Sequence, residues 1–171
     1  MEITEAKSAR EALDFYYMLI DKMTGNQYKP SWKRGVYPLL EDIEIAVSEH
    51  SQFLAREGGA IAGAFILNRK QGKGYDKASW KYPADKEKVS VIHLLAVNPD
   101  IQHKGIGIKL LTKAEDLART QGSEVLRLDT MTTNIPAQKL YEKYGFSSCG
   151  DVDLTYPSTG KIPFRMYELK L

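Results

Sequence analysis

The sequence predicts an α/β (α+β) fold, a mixed central sheet of about six to seven strands flanked by about four helices, in a single domain over residues 1–171. Three observations carry this. Short runs rich in Val, Ile, Leu and Phe alternate with stretches of helical apolar spacing, in the order βααββ–βαβαββ. A β run at 89–97, "VSVIHLLAV", passes through Pro99 and Asp100 to Gly105 and Gly107 and out into a helical stretch, the form of a strand-to-helix turn. No internal repeat or interdomain linker divides the 171 residues, a length that buries a core without staples.

The elements follow in order. A short strand near 2–4 precedes "SARE" at 8–11, which has the form of a capping box, and Leu13, Tyr16, Tyr17, Ile20 and Met23 then recur at helical spacing until Gly25. Pro38 precedes a second helix in "LLEDIEIAVSEH". "SQFLAREGGAIAGAFILN" reads as a hairpin turning at Gly58-Gly59. Residues 68–88 are polar and Lys-rich with interspersed Tyr75, Trp80 and Tyr82, a long excursion of the kind that often carries function. After the glycine turn, Ile106, Leu110, Leu111, Ala114, Leu117 and Ala118 form one apolar stripe, so a helix starts at the glycines and runs to Gln121-Gly122. A strand "EVLRLDT", a helix from about Asn134 to Tyr144 closed by Gly145, and two strands near 146–156 and 162–170 complete the chain.

Composition excludes several classes. The chain has 24 Lys+Arg against 22 Asp+Glu, a net charge of +2, and the charges are interspersed, so no nucleic-acid partner is implied. The start "MEITEAKSAR" lacks the basic, apolar and small-residue regions of a secretory signal. No apolar run reaches membrane-spanning length, so the expectation is a cytoplasmic protein with no membrane partner. Cys149 is the only cysteine, which leaves no intramolecular disulfide and no metal cluster; it reads as a small apolar strand residue.

A helix start has unpaired N–H groups and partial positive charge, and the missing side chains at Gly105 and Gly107 would let an anion such as a diphosphate approach them. The same glycines also fit a tight turn without a ligand. A P-loop is rejected: it needs four residues between its glycines and then Lys-Ser/Thr, whereas here Lys109 is followed by Leu110. A dinucleotide fingerprint lacks its third glycine, Leu110 standing there, and keeps only Asp129 as a ribose contact.

More of the chain fits another pattern. Gln102-His103-Lys104-Gly105-Ile106-Gly107 resembles the Gln/Arg-x-x-Gly-x-Gly/Ala signature of the GNAT superfamily of N-acetyltransferases, and the preceding "HLLAVNP" agrees with it. Downstream, "NIPAQKLYEKYGF" resembles the family's second segment, in which an Asn begins a helix and Ala-x-x-Leu-Tyr-x-x-x-Gly-Phe closes it. The resemblance covers about residues 89–146; the first third agrees by element order alone. It implies that acetyl-CoA is the cofactor, with its diphosphate on Gln102, His103, Lys104, Gly105, Ile106 and Gly107. It also implies pantetheine contacts along Leu95, Ala96, Val97 and Asn134, with a backbone N–H around Leu95 to Val97 serving the oxyanion. Asn134 also suits a helix cap.

An alkyl amine, with a pKa of about 10.4, must lose a proton before it attacks a thioester. His93 lies on the strand leading to the motif, on the face of Val91 and, barring a bulge, Leu95, and its ordinary pKa suits a base acting directly or through water. The position matches the histidine that arylalkylamine acetyltransferases, one branch of the superfamily, carry there; a satisfied core histidine fits equally. Tyr141 occupies the family's acid position, where it would protonate the departing thiolate, although a helix aromatic packed on the sheet has the same pattern.

Trp32, Tyr37, Tyr75 and Trp80, with Tyr28 and Tyr82 nearby, could wall an acceptor pocket or pin long loops to the body. Asp129, at a strand end, could neutralise an ammonium or serve a turn. The expectation is direct acetyl transfer to a primary amine of a small molecule, without a metal. A peptide or protein acceptor and a non-catalytic acetyl-CoA sensor stay open as alternatives, as does a homodimer.

Overall fold

A computed structural model describes residues 1–101 and 105–171; Gln102, His103 and Lys104 of the expected diphosphate loop lie outside the described residues. Among the described residues the elements come in the predicted order. They are β1 (Glu2–Glu5), α1 (Ala9–Lys22), α2 (Leu40–Ser48), β2 (Gln52–Glu57), β3 (Ala60–Asn68), β4 (Val89–Val97), α3 (Ile106–Thr120), β5 (Val125–Met131), α4 (Ile135–Tyr144), β6 (Ser147–Tyr156) and β7 (Gly160–Lys170). The seven strands form one sheet in the order β1-β2-β3-β4-β5-β7-β6. Every neighbouring pair is antiparallel except β4 and β5, which α3 connects as a parallel crossover. No helix among the described residues is long and apolar enough to cross a membrane.

Helix ends are set by local chemistry. Ser8 Oγ accepts from the Glu11 N–H at 3.3 Å, while the Glu11 carboxylate binds Arg56 at 2.7 Å, so the predicted capping box forms only its forward half. Just after Pro38, the Asp42 carboxylate accepts from the Leu39 N–H at 2.7 Å to open α2. Asn134 Oδ1 caps α4 by accepting from the Ala137 N–H at 3.3 Å. The residue at the head of α3 is Gly105 at φ +65, a left-handed conformation that L side chains adopt only with strain.

Both faces of the sheet are covered. On one, Leu110, Leu111 and Ala114 of α3 and Tyr141 of α4 pack with Phe65, Ile92, Leu126 and Leu128. On the other, Leu13 and Tyr16 of α1 and Ile43 of α2 pack with Leu54, Ala64, Ile66, Leu94 and Ala96. Each buried aliphatic side chain contributes about 1.5–3 kcal/mol of transfer free energy, so these two apolar layers dominate the favourable side of folding. The excursion between β3 and β4 covers the rest of the second face, with Tyr75 against Val89, Val91, Phe164 and Met166.

That excursion is pinned by a buried ion pair. The Arg127 Nε donates to Glu168 Oε2 at 2.9 Å, both side chains being almost fully buried. Glu168 Oε1 accepts from the backbone N–H groups of Lys81 and Tyr82 at 2.8 and 3.0 Å. The Arg127 guanidinium lies 4.1 Å from the centre of the Trp80 ring, whose Nε1 donates to the Tyr75 carbonyl at 2.7 Å. Cys149, as expected, is a buried strand residue of β6.

Gly107 has a reason the sequence did not show. A Cβ built there would stand 2.8 Å from Leu140 Cδ2, so the bare Cα lets α3 approach α4. The bare Cα thus has a packing reason beside the expected approach of an anion. Gly107→Ala should lower stability in urea by about 1–3 kcal/mol through overpacking. In a Leu140→Ala background the same change should cost nothing or stabilise, since the obstruction is gone; equal costs in both backgrounds would contradict helix packing as the reason for this glycine.

Candidate active site

The site begins as a defect in pairing. Along β3 and β4, Ile66 pairs with His93 and Ala64 with Ala96, so β4 spends one residue more than β3 over this interval. Leu94 takes up the extra residue at φ +49, a left-handed conformation that costs a leucine roughly 1–2 kcal/mol. A bulge bends its strand, and the parallel ladder with β5 runs only from Val89↔Val125 to Val91↔Arg127. Beyond it, Ile92 to Val97 and Leu128 to Met131 separate and line a cavity of about 670 Å³. The bulge also reverses the side-chain alternation. His93 and Leu94 share the α1/α2 face while Leu95 packs with the α3 core, so the expected common face of His93 and Leu95 is corrected.

One side of the cavity is built by β4 and α4. The Asn98 N–H donates to Ala62 of β3 at 2.9 Å, and strand N–H groups alternate sides, so that of Val97 points away from β3, toward the gap. Leu95 and Ala96 line the same edge. Asn134 lines the cavity as well as capping α4; among the described residues its side-chain NH2 keeps no partner. At α3, Gly105 brings no side chain to cap the first-turn N–H groups of Ile106, Gly107 and Ile108, and among the described residues no side chain caps them. This set of free donors beside an open strand edge fits an anionic, extended cofactor.

Tyr141 reaches the cavity from α4. Its ring packs edge-on against Tyr167 with centroids 5.6 Å apart, and also touches Phe146. Its hydroxyl has no hydrogen-bond partner among the described residues. Burial, with smaller contributions from the charges of Asp129 and Tyr167, pushes that hydroxyl well above the ordinary tyrosine range, so it stays protonated. Tyr144 instead donates to Glu115 at 2.6 Å, away from the cavity.

The other side is walled by Trp32 and Tyr37, with Tyr28, from the segment between α1 and α2, and by Tyr156 and Phe164. Tyr75 and Trp80 do not line the cavity, and their expected place in the acceptor wall is corrected: the Glu168–Arg127 pair holds their loop against the sheet behind it. Asp129 does line it. It sits within the β5 ladder opposite Met166, so it serves no turn. His93 also lines it, but Asn68 Oδ1, which already accepts from the Lys70 N–H at 2.9 Å, lies 3.0 Å from its Nε2. That oxygen can only accept, so Nε2 carries the proton. Burial pulls the imidazole down to about 4, against a backbone hydrogen bond at Lys70 that raises it. No group of three or more His, Cys, Asp or Glu among the described residues could hold a metal ion.

The sequence and the fold are similar to those of known proteins. Streptothricin acetyltransferase of Escherichia coli is 33% identical over 109 residues, which are 62% of this chain and 58% of that enzyme. The chain matches 20% to 34% of the length of three other curated relatives. A GNAT-family acetyltransferase of Streptococcus agalactiae superposes with a TM-score of 0.77 at 19% identity, over 99% of this chain and 95% of that one. The Bacillus subtilis acetyltransferase in complex with CoA gives 0.62 at 18%, over 99% and 97%. At these identities the two structures show likeness of fold. The sequence model of the acetyltransferase (GNAT) family matches residues 14–146, across β4, α3 and α4, and the chain belongs to that family of acetyl-CoA-dependent enzymes.

Proposed function

We propose that the protein transfers the acetyl group of acetyl-CoA directly to a primary amine of a small molecule. The observation that carries this is the cavity crossing the sheet at the β4/β5 gap, with Tyr141, Asn134 and the Val97 N–H on one side and an aromatic wall with a carboxylate on the other. A ring-lined compartment suits a small acceptor. The E. coli relative is named for streptothricin, a small molecule, which supports the same class.

Bound acetyl-CoA supplies an acetyl group activated as a thioester. The chain's own part is to place and to exchange protons. The first-turn N–H groups of α3 hold negative charge, with Gln102, His103 and Lys104 proposed to complete that contact. The open edge at Leu95, Ala96 and Val97 orients the extended arm, and the Val97 N–H donates to the carbonyl oxygen as charge develops there. When the carbon–sulfur bond breaks with its electron pair on sulfur, the Tyr141 hydroxyl delivers the proton and is restored by the proton that the attacking nitrogen loses as the amide forms. Overall, an ammonium and acetyl-CoA give the acetamide, free CoA thiol and one proton.

Thiol release measured over a panel of small primary amines should show turnover, with kcat/KM above that for peptides bearing a free N-terminus or lysine. Turnover on peptides alone would move the acceptor to that class, and CoA binding without release for any acceptor would make this a sensor. Tyr141→Phe removes one oxygen and should leave CoA affinity by calorimetry nearly unchanged while kcat falls on the order of a hundredfold. The loss should shrink with an acyl donor whose thiol has a lower pKa. Equal losses with both donors would make Tyr141 a positioning residue.

A further inference from the structure

Two carboxylates of this sheet are withdrawn from bulk solvent, Glu168 fully and Asp129 in part at the cavity, and they are treated differently. Glu168 has a cation, Arg127 at 2.9 Å, and two backbone N–H donors. Asp129 has only neutral partners: the Tyr156 hydroxyl donates to its Oδ2 at 3.3 Å and the Tyr75 hydroxyl is its second donor. Among the described residues no cation pairs with it, and it faces the cavity. A carboxylate held partly out of water without a counter-charge is costly, and a cation entering the cavity would relieve that cost.

We propose that Asp129 is the group that binds the acceptor as an ammonium and takes its proton. The inference rests on the acetyl-transfer reading above and names the form in which that site takes its substrate. Tyr37 and Tyr156, stacked with ring centres 6.3 Å apart, and Trp32 supply aromatic surface that favours a cation over water. One N–H bond of the ammonium breaks, its proton moves to an Asp129 oxygen, and the electron pair stays on nitrogen for attack. The neutral Asp129 returns the proton to solvent when product leaves. His93 is the weaker base, because burial opposes the charge it would gain with a second proton.

The titratable groups around Asp129 come from several elements: Tyr75 from the excursion, Tyr156 from β6, Tyr141 from α4, Tyr37 before α2 and His93 on β4. Lys22 of α1 lines the same cavity but is paired with Asp100. Burial raises the Asp129 carboxyl to about 6, against lowering bonds from Tyr156 and Tyr75. Because the folded value lies above the unfolded one, the native state holds this proton more tightly. Its contribution to stability is therefore present at low pH and lost as pH rises through about 6.

The test is Asp129→Asn, read three ways. Parent kcat/KM for an active amine should be bell-shaped, falling below about pH 6 and again above the amine's own pKa, because the ammonium is the bound form. The variant should lose on the order of a hundredfold at pH 7 and lose the acid limb, while calorimetry shows unchanged CoA affinity. Its Tm should exceed the parent's at pH 8 and converge with it near pH 4; a merely structural Asp129 would give a lower Tm. Parent kcat/KM that climbs to a plateau above the amine's pKa, or a variant that keeps the parent profile, overturns the proposal while leaving acetyl transfer intact. A parent that acetylates no amine removes the underlying reading instead.

Discussion

The extra residue in β4 is the constraint from which the site follows. A parallel pair in the middle of a sheet would ordinarily stay hydrogen-bonded along its length, yet β4 and β5 part after Val91↔Arg127. Leu94 at φ +49 holds the bend, and its side chain is buried against the α1/α2 layer with Ala96. The core therefore stabilises a conformation that the backbone alone disfavours. The open strand edge, the cavity through the sheet and the opposite facing of His93 and Leu95 all derive from this one irregularity.

Rigid supports surround the opening. Gly107 lets α3 sit against Leu140 of α4, which sets the start of α3 beside Asn134 and Tyr141. On the far face, Glu168 and Arg127 hold the excursion so that Tyr75 can donate to Asp129 from behind while staying out of the cavity. The aromatic wall opposite the β4 edge comes from two parts of the chain, the segment between α1 and α2 and the β6/β7 pair with Tyr156 and Phe164.

Much of this was legible in the sequence, for local reasons. The hairpin at Gly58-Gly59, the start of α3 at Gly105, and the caps at Ser8 and Asn134 need only neighbouring residues, and each formed where patterning put it. The long-range features were not legible. The bulge at Leu94 depends on pairing with β3, and alternation alone placed Leu95 on the face of His93. Gly107 answers to Leu140, more than thirty residues away, which no local spacing reveals. Trp32 and Trp80 have similar aromatic, loop-like surroundings in the sequence; only the buried ion pair of Glu168 decides that Trp80 faces the sheet. Asp129 gave one signal, a carboxylate inside an apolar run, but its lack of a cation appears only once the fold brings Tyr75 and Tyr156 to it.

The central claim is that the gap between β4 and β5 receives the acyl donor. Backbone amide chemical shifts followed through a CoA titration test it most directly. The largest changes should fall on Leu95 to Val97, on Ile106 to Ile108 and at Asn134, with β1 and α2 unmoved. Binding that shifts amides elsewhere and leaves the β4 edge unchanged would place the donor outside the gap.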